Sequence, residues 1–253
     1  MKFCGLIMAL FLCCAPAHAQ FSADKTGPGA VQNANIVRWV KGEYEYRTLK
    51  SQAVRGGENF YLTVHRDGSR TMRAFTDIAT RDVQANVVLR VADNFRPLDA
   101  FVSMFTKGGY KGAITIHVDG DTLRATTTGP TGQLDQITKV PAQFSLVVHP
   151  LALDSWHPWY IAPTKGVRQP GMQYLLNTDG DVAKALSGQV QPESFEYMGE
   201  EDVSVPAGTF KTTHVRMGGH SDIWVTGPDR ILVRYVWAEI DRDYVLKTLA
   251  TGP

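Results

Sequence analysis

Apolar and polar residues alternate along most of the chain, which is the pattern of β-strands with one buried face. The clearest instance lies in residues 199–219. Val203 and Val205 alternate with polar residues, Pro206-Ala207-Gly208 has the composition of a tight turn, and the residues after it alternate again. The pattern therefore predicts a strand, a turn with Gly208 at positive φ, and a returning strand.

Similar runs recur from residue 37 onwards, and most are separated by short glycine-containing turns. The other predicted strands cover 42–49, 60–65, 71–78, 98–105, 113–118, 122–128, 171–177, 193–205 and two strands within 223–237. Residues 80–92 fit either a helical face or a buried strand, and the strand is favoured for their second half. Residues 129–140 are predicted to interrupt the strands, and 179–187 to form one or two helical turns.

About a dozen strands joined by short turns predict an all-β fold, an antiparallel meander rolled into a half-barrel or a lipocalin-like barrel. Only a narrow barrel fills its interior with its own side chains, so a sheet this wide is expected to leave room for a ligand. The alternative is a pair of packed sheets that form a closed sandwich without a cavity.

The last quarter of the chain carries a family resemblance. VPAGTF at 205–210, followed by a T-x-x-V strand, resembles a motif of uncharacterised bacterial periplasmic proteins with a half-barrel like that of the lipoprotein carriers LolA and LolB. The resemblance continues through IWVTGPDRILVRYVW at 223–237, where a Trp-containing strand, a Gly-Pro-Asp turn and an Arg-centred strand follow in order. It implies a LolA/LolB-like fold and a periplasmic location.

The first nineteen residues have the features of a secretory signal peptide. A basic start at Lys2 and an apolar run precede Ala17-His18-Ala19, an A-x-A cleavage site. A transmembrane anchor is the alternative, but the apolar run is shorter than the roughly 20 residues of a spanning helix. We expect a signal peptide at 1–19, a flexible arm at 20–35 and a single half-barrel domain at 36–253, in a periplasmic or secreted protein.

The composition of the exported chain restricts the classes of partner that it is expected to bind. All three cysteines lie within the predicted signal peptide, so no disulfide is expected. Removing Lys2 reduces the 26 basic residues to 25, which equals the 25 acidic residues. A neutral chain without basic runs is not expected to bind nucleic acid or anionic membranes. We predict a soluble monomer without a transmembrane segment or cofactor.

Residues 141–170 differ from the rest because they are dense in Pro, Trp and His. His149, Asp154 and His157 are candidate catalytic residues, since a carboxylate can orient an imidazole for general acid–base chemistry. The alternative is a loop tied down by side-chain hydrogen bonds. The candidate ligand-binding residues of this segment are Trp156, Trp159 and Tyr160, which are predicted to cover the mouth of the sheet from an exposed loop.

No metal site is predicted at His214, His220 and Asp222. A two-residue turn at Gly218-Gly219 would pair Val215 with Asp222 and leave His214 on the opposite face. His220 and Asp222 alone offer fewer ligands than a zinc site uses.

Arg216 and Arg234 each lie mid-strand among apolar neighbours. Arg234 is predicted either to point to solvent or to line the concave side as an anchor for a carboxylate or phosphate group. Both arginines are therefore candidate ligand-binding residues.

Two functions remain open. The first is a periplasmic binding or carrier protein that holds a mainly apolar or amphipathic small molecule or lipid in the concave face. The second is a cofactor-independent lyase, isomerase or hydrolase that uses His149, Asp154 and His157. The sequence has no nucleophile elbow, HExxH motif or phosphate loop, so the class of enzyme is unconstrained. The binding function follows from the expected cavity, the expected compartment and the resemblance.

Overall fold

The computed structural model describes residues 35–253, and strands dominate this part of the chain. The strands are β1 Ile36–Arg47, β2 Val54–His65, β3 Arg70–Ile78, β4 Val83–Val91, β5 Pro97–Thr106, β6 Gly109–Asp119, β7 Thr122–Gly129, β8 Gly132–Lys139, β9 Ser145–Val147, β10 Arg168–Leu176, β11 Gly188–Val205, β12 Gly208–Met217, β13 Ser221–Thr226, β14 Ile231–Trp237 and β15 Arg242–Gly252. Short 3-10 helices lie at Ala79–Arg81, Leu151–Trp156 and Ala238–Ile240. No helix of the described part is long and apolar enough to cross a membrane. The predicted signal peptide and all but the last residue of the predicted arm lie outside the described residues.

The strands form one continuous sheet in the order β8-β7-β6-β5-β4-β3-β2-β1-β15-β14-β13-β12-β11-β10-β9. Sequential neighbours pair antiparallel, the first and last strands pair with each other, and the short β9 is parallel to β10. The predicted all-β antiparallel meander is confirmed, with fifteen strands in place of about a dozen. All fifteen strands therefore belong to one hydrogen-bonded sheet, in place of the two separate sheets of the alternative.

Buried apolar side chains from strands far apart in this order belong to one core. Leu62 of β2, Ile116 of β6, Tyr174 of β10 and Ile223 of β13 are members of the same cluster, and each is fully buried. A flat sheet could not bring these strands together around one core. The sheet therefore curls, and we call its core-facing side the concave face.

The turn between β11 and β12 agrees with its prediction. Val205 pairs with Gly208, and Gly208 has a φ of 136°. Side chains rarely adopt this conformation, so glycine is required by the backbone rather than by lack of space.

The turn between β12 and β13 is one residue longer than predicted. Met217 pairs with Ser221, so three residues connect the strands. This register places Arg216 opposite Asp222, whereas a two-residue turn would have placed Val215 there. His214 and Asp222 consequently lie on the same face, and the prediction that separated them is wrong.

Residues 129–140 contain a strand that the sequence analysis missed. β8 pairs with β7 along its whole length but lies at the edge of the sheet. Its side chains are mostly exposed, and Ile137 is 69% exposed. With neither face fully buried, β8 lacks the alternation by which strands are detected.

A side chain of the edge strand β8 contacts β10 and β11, which lie near the other edge of the sheet. The amide of Gln136, on β8, donates to Gly188 O (3.3 Å) and accepts from Gly188 N (3.2 Å), at the start of β11. The Tyr174 hydroxyl donates to the same amide oxygen at 3.4 Å. Side-chain hydrogen bonds thus join β8 to β10 and β11, strands with which it forms no backbone ladder.

Residues 179–187 form a turn-rich loop, and the predicted helical turns are absent from it. Asp179 and Asp181 accept hydrogen bonds from backbone amides two residues ahead, which competes with helix formation. The ammonium of Lys111, fully buried, donates to Asp179 Oδ1 (3.1 Å) and to Asp181 O (2.7 Å). The loop is therefore fixed to β6 by a buried lysine.

Candidate functional site

The segment 149–160, which we call the insert, lies in the core. Its 3-10 helix Leu151–Trp156 buries Leu151, Leu153 and Trp156 to within 2% of full burial. The prediction of an exposed loop is wrong for this part, because the apolar side chains between the polar ones pack against the sheet. The insert occupies part of the space that the sequence analysis assigned to a ligand.

The amino-terminal end of the insert binds a buried carboxylate. Glu58 of β2 is 2% exposed, and its two oxygens accept hydrogen bonds from the backbone amides of Leu151 and Ala152, each at 2.8 Å. The Tyr46 hydroxyl donates to the same carboxylate. Amides at the start of a helix have no partner within it, so Glu58 satisfies two of them. Burial raises the pKa of Glu58 to about 7, while these hydrogen bonds partly oppose the rise.

A guanidinium holds the carboxyl-terminal end. Arg230 donates to Ser155 O (3.1 Å) and to Pro158 O (3.4 Å), and burial lowers its pKa to about 10. The Trp156 indole donates to the backbone oxygen of Asp229 at 3.0 Å. A carboxyl group therefore accepts hydrogen bonds from the amides at one end of the insert, and a guanidinium donates to the carbonyl groups at the other end.

The Asp229 side chain fixes the loop that carries Arg230. It is 4% exposed and accepts hydrogen bonds from Arg38 (2.6 Å) and Arg70 (3.0 Å), so its buried charge is paired. Two ion pairs therefore hold the loop that anchors the carboxyl-terminal end of the insert.

Asp154 faces a group of tyrosines on the concave face. Its side chain is 13% exposed, and burial followed by the nearby charge of Glu58 raises its pKa. The charge of Asp154 in turn adds to the burial that raises the pKa values of Tyr44, Tyr235 and Tyr244. Burial among these residues therefore disfavours the charged form of Asp154.

His157 is not arranged as the partner of Asp154. Its Nε2 lies 3.7 Å from Asp154 Oδ1, and this buried nitrogen has no hydrogen-bond partner within residues 35–253. A backbone hydrogen bond with Leu146 opposes the effect of burial, which lowers the pKa of His157 to about 4. His149, with a φ of 35°, acts on His157 electrostatically. The three candidate catalytic residues are thus close together. The 3.7 Å between His157 Nε2 and Asp154 Oδ1, however, is too long for proton transfer.

Trp159 and Tyr160 are partly buried beside the insert. The Trp159 indole donates to Phe144 O at 2.9 Å. The Tyr160 hydroxyl accepts from the Met172 amide at 3.1 Å, and its ring meets Phe195 edge-on. Tyr160 thus connects the insert to β10 and β11, and Trp159 connects it to the residue before β9.

Arg216 and Arg234 lie on the face opposite the core. Arg216 donates to Asp222 at 3.1 Å and Arg234 to Asp243 at 2.8 Å, and both arginine side chains are about one-third exposed. Trp224, which pairs with Arg234, lies on this outer face. Neither arginine faces the concave side, so the predicted concave anion anchor at Arg234 is wrong. Arg234 lies on the outer face, where its guanidinium pairs with the buried Asp243.

His214 belongs to the same outer face. Its Nε2 lies 2.8 Å from Asp222 and its Nδ1 lies 3.0 Å from Glu201. Both ring nitrogens therefore have carboxylate partners. Across residues 35–253, no group of three or more His, Cys, Asp and Glu side chains could hold a metal ion.

A polar pocket of about 470 Å³ lies where β10, β11 and the β12–β13 turn meet. Its polar lining consists of Arg168, Gln173, Gln191, Glu193, Ser194 and His220. None of these residues was a candidate binding residue in the sequence analysis, because no local motif surrounds them. Glu58 and the tyrosines around Asp154 were missed as well. Glu58 and these tyrosines alternate with apolar residues, and this alternation identifies their strands. It does not indicate which distant segment each side chain contacts.

Comparison with known proteins gives a fold likeness without an activity. No family model matches the chain, and no curated protein matches it. A DUF1089 family protein from Pseudomonas aeruginosa is 10% identical, with a TM-score of 0.45 over 71% of this chain and 89% of that chain. A beta-barrel-like protein of the domain of unknown function DUF1849 from Brucella abortus is 8% identical, with a TM-score of 0.46 over 87% of this chain and 99% of that chain.

Proposed function

We propose that this protein is a periplasmic binding or carrier protein that holds a mainly apolar small molecule or lipid on the concave face of its sheet. The proposal rests on the position of the insert. It places Leu151, Leu153 and Trp156 on the concave face as an apolar occupant, while its polar attachments are concentrated at its two ends. An apolar ligand would pack against the same surface.

The chemistry of the insert favours binding over catalysis. Asp154 and His157 are 3.7 Å apart, and burial favours the uncharged form of each. A pair in which burial disfavours both charged forms, and which makes no hydrogen bond, lacks the oriented proton acceptor of an acid–base mechanism. The enzyme hypothesis therefore has less support than the carrier hypothesis.

The proposal is tested by titrating the purified protein with the apolar fluorophore N-phenyl-1-naphthylamine. We expect saturable binding with one site per chain and a change in hydrogen exchange at the amides of Leu151 and Ala152, because the ligand shares the concave face with the insert. Exposed Leu134→Ser, on the edge strand β8, is the control variant and should bind equally. Absence of saturable binding, or protection confined to the outer face around Trp224, would contradict the proposal.

A further inference from the structure

A buried arginine lies where the pairing of β1 with β2 changes register. Tyr46 pairs with Gly56 and Arg47 pairs with Val54, so Arg55 is the extra residue of a β-bulge. In a regular strand Val54 and Gly56 would share a face, yet Val54 is 62% exposed and Arg55 is 7% exposed. At this bulge the chain therefore buries a guanidinium in place of an apolar side chain.

Arg55 lies beside a row of tyrosines that crosses this end of the sheet. Tyr46 pairs with Tyr244, and Tyr244 pairs with Tyr235. The rings of each pair meet edge-on, with centroids 4.6 Å and 5.3 Å apart. Tyr46 and Tyr235 belong to the core cluster, so the row lies on the concave face. Burial raises the pKa of Tyr244, and a hydrogen bond from Arg55, followed by its charge, partly opposes the rise, which places the guanidinium next to this phenol.

The Arg55 guanidinium is not fully satisfied by the protein. Its Nη1 is buried and has no hydrogen-bond partner within residues 35–253, so no carboxylate of this part of the chain meets that nitrogen. Burying a charged donor without a partner is costly, and an anion that supplies the missing acceptor removes this cost. Nη1 is therefore a donor available to a ligand.

The charges around Tyr244 favour an anion. Arg242, two residues before Tyr244 on β15, lowers the pKa of Tyr244 through its charge, after the larger effects of burial and of Arg55. The carboxyl group that acts on Tyr244 belongs to Asp154, whose charged form is disfavoured by burial. The carboxyl group of Glu58 accepts hydrogen bonds from the insert. Two guanidinium groups thus act on Tyr244 against a carboxyl group that burial disfavours in its charged form, and this balance favours an incoming anion.

The row of tyrosines reaches solvent at its Tyr244 end. Tyr46 is fully buried, whereas Tyr244 and Arg242 are partly exposed at the start of β15. An anionic group can therefore reach the Tyr244 phenol from this end of the sheet.

Resting on the proposed function, we infer that Arg55, Tyr244 and Arg242 bind the oxyanion head group, a carboxylate or a phosphate, of an amphipathic ligand. Arg55 Nη1 and the Tyr244 hydroxyl donate to its oxygens, and Arg242 supplies a second positive charge at the exposed end. Hydrogen bonds from a guanidinium to an oxyanion are roughly twice as strong as those between neutral groups. The apolar part of the ligand packs on the concave face.

The inference is tested by calorimetric titration at pH 8 with decanoate, decyl phosphate and decan-1-ol, each below its critical micelle concentration. At least one anionic probe should bind about tenfold more tightly than the alcohol, the difference expected of one charge-assisted hydrogen bond, and the tighter anion identifies the head group. Arg55→Met should abolish this preference, and Tyr244→Phe, which keeps the ring, should reduce it. The exposed Arg124→Met is the matched control and should retain it. An undiminished preference in either Arg55→Met or Tyr244→Phe overturns the inference.

Anions without an alkyl chain separate this inference from the proposed function. Propionate or inorganic phosphate should raise the melting temperature of the parent and of Arg124→Met more than that of Arg55→Met, even where N-phenyl-1-naphthylamine fails to bind. Saturable binding of the fluorophore together with equal affinities for the three C10 probes overturns the anion site and leaves the carrier function intact. Equal rises in melting temperature for the parent and Arg55→Met also overturn the anion site.

Discussion

Replacing Glu58 with glutamine is expected to remove a pH dependence from the stability of the protein. The folded chain buries this carboxyl group and raises its pKa from 4.5 to about 7, mainly through desolvation. Between these pH values the folded state holds a proton that the unfolded chain releases. The free energy of unfolding contributed by Glu58 therefore falls as the pH rises from about 4.5 to about 7, and is constant above that range.

The size of the effect follows from the two pKa values. A rise from 4.5 to about 7 corresponds to about 3 kcal/mol at 1.36 kcal/mol per pH unit. His157 has the opposite sign, because its pKa falls from 6.5 to about 4 and its contribution to stability increases as the pH rises between those values. His157 is present in both proteins, so its contribution cancels when the variant is compared with the parent.

The assay is urea unfolding of the parent protein and Glu58→Gln from pH 4.5 to pH 8.5, with exposed Glu239→Gln as the control. At low pH the parent carries the protonated acid, which glutamine resembles. The variant's free energy of unfolding should increase relative to the parent's by about 3 kcal/mol across the range. Parallel pH profiles for the parent and Glu58→Gln would refute the reasoning, since the carboxyl group would then have the same pKa folded and unfolded.

Three further substitutions test separate parts of the structure, each by thermal or urea unfolding. Gly208→Val should cost about 1–3 kcal/mol because valine is strained at this φ, and an unchanged melting temperature would contradict the turn geometry. Lys111→Met should lower the free energy of unfolding by about 3 kcal/mol, because it removes the donor to Asp179 and to two carbonyl oxygens. The exposed Lys107→Met is the control and should leave the free energy of unfolding unchanged. Asp154→Asn should destabilise the protein less than Lys111→Met does, because burial raises the pKa of Asp154 and so disfavours its charged form, and an equal or larger loss would contradict this reasoning.

The fold was predictable where one face of a strand is buried and the next strand follows after a short turn. Val203, Val205 and Gly208 specify their hairpin locally, through alternation and backbone conformation. β8 was not predictable in this way, because its exposed edge position allows polar residues on both faces. The register of β12 and β13 was predicted wrongly because the turn has three residues in place of two. The extra residue places His214 and Asp222 on the same face of the sheet, whereas the prediction had placed them on opposite faces.

The candidate site was predictable only in part, since its contacts join distant segments. The density of Trp, His and Pro identified the insert, but Glu58 binds Ala152 across 94 residues of sequence. Nothing local distinguishes Glu58 from a solvent-facing strand residue. Glu193 and Gln173 line the polar pocket through the pairing of β10 with β11, a register that the sequence pattern does not fix.

The most direct test of the carrier function is native mass spectrometry of the protein as purified, followed by organic extraction and mass analysis of the released material. The carrier account predicts one bound amphipathic molecule per chain, released chemically unchanged, with the apo protein then taking up N-phenyl-1-naphthylamine. An unliganded protein that also fails to bind the fluorophore, or a released molecule that the protein has converted into a product, would contradict it.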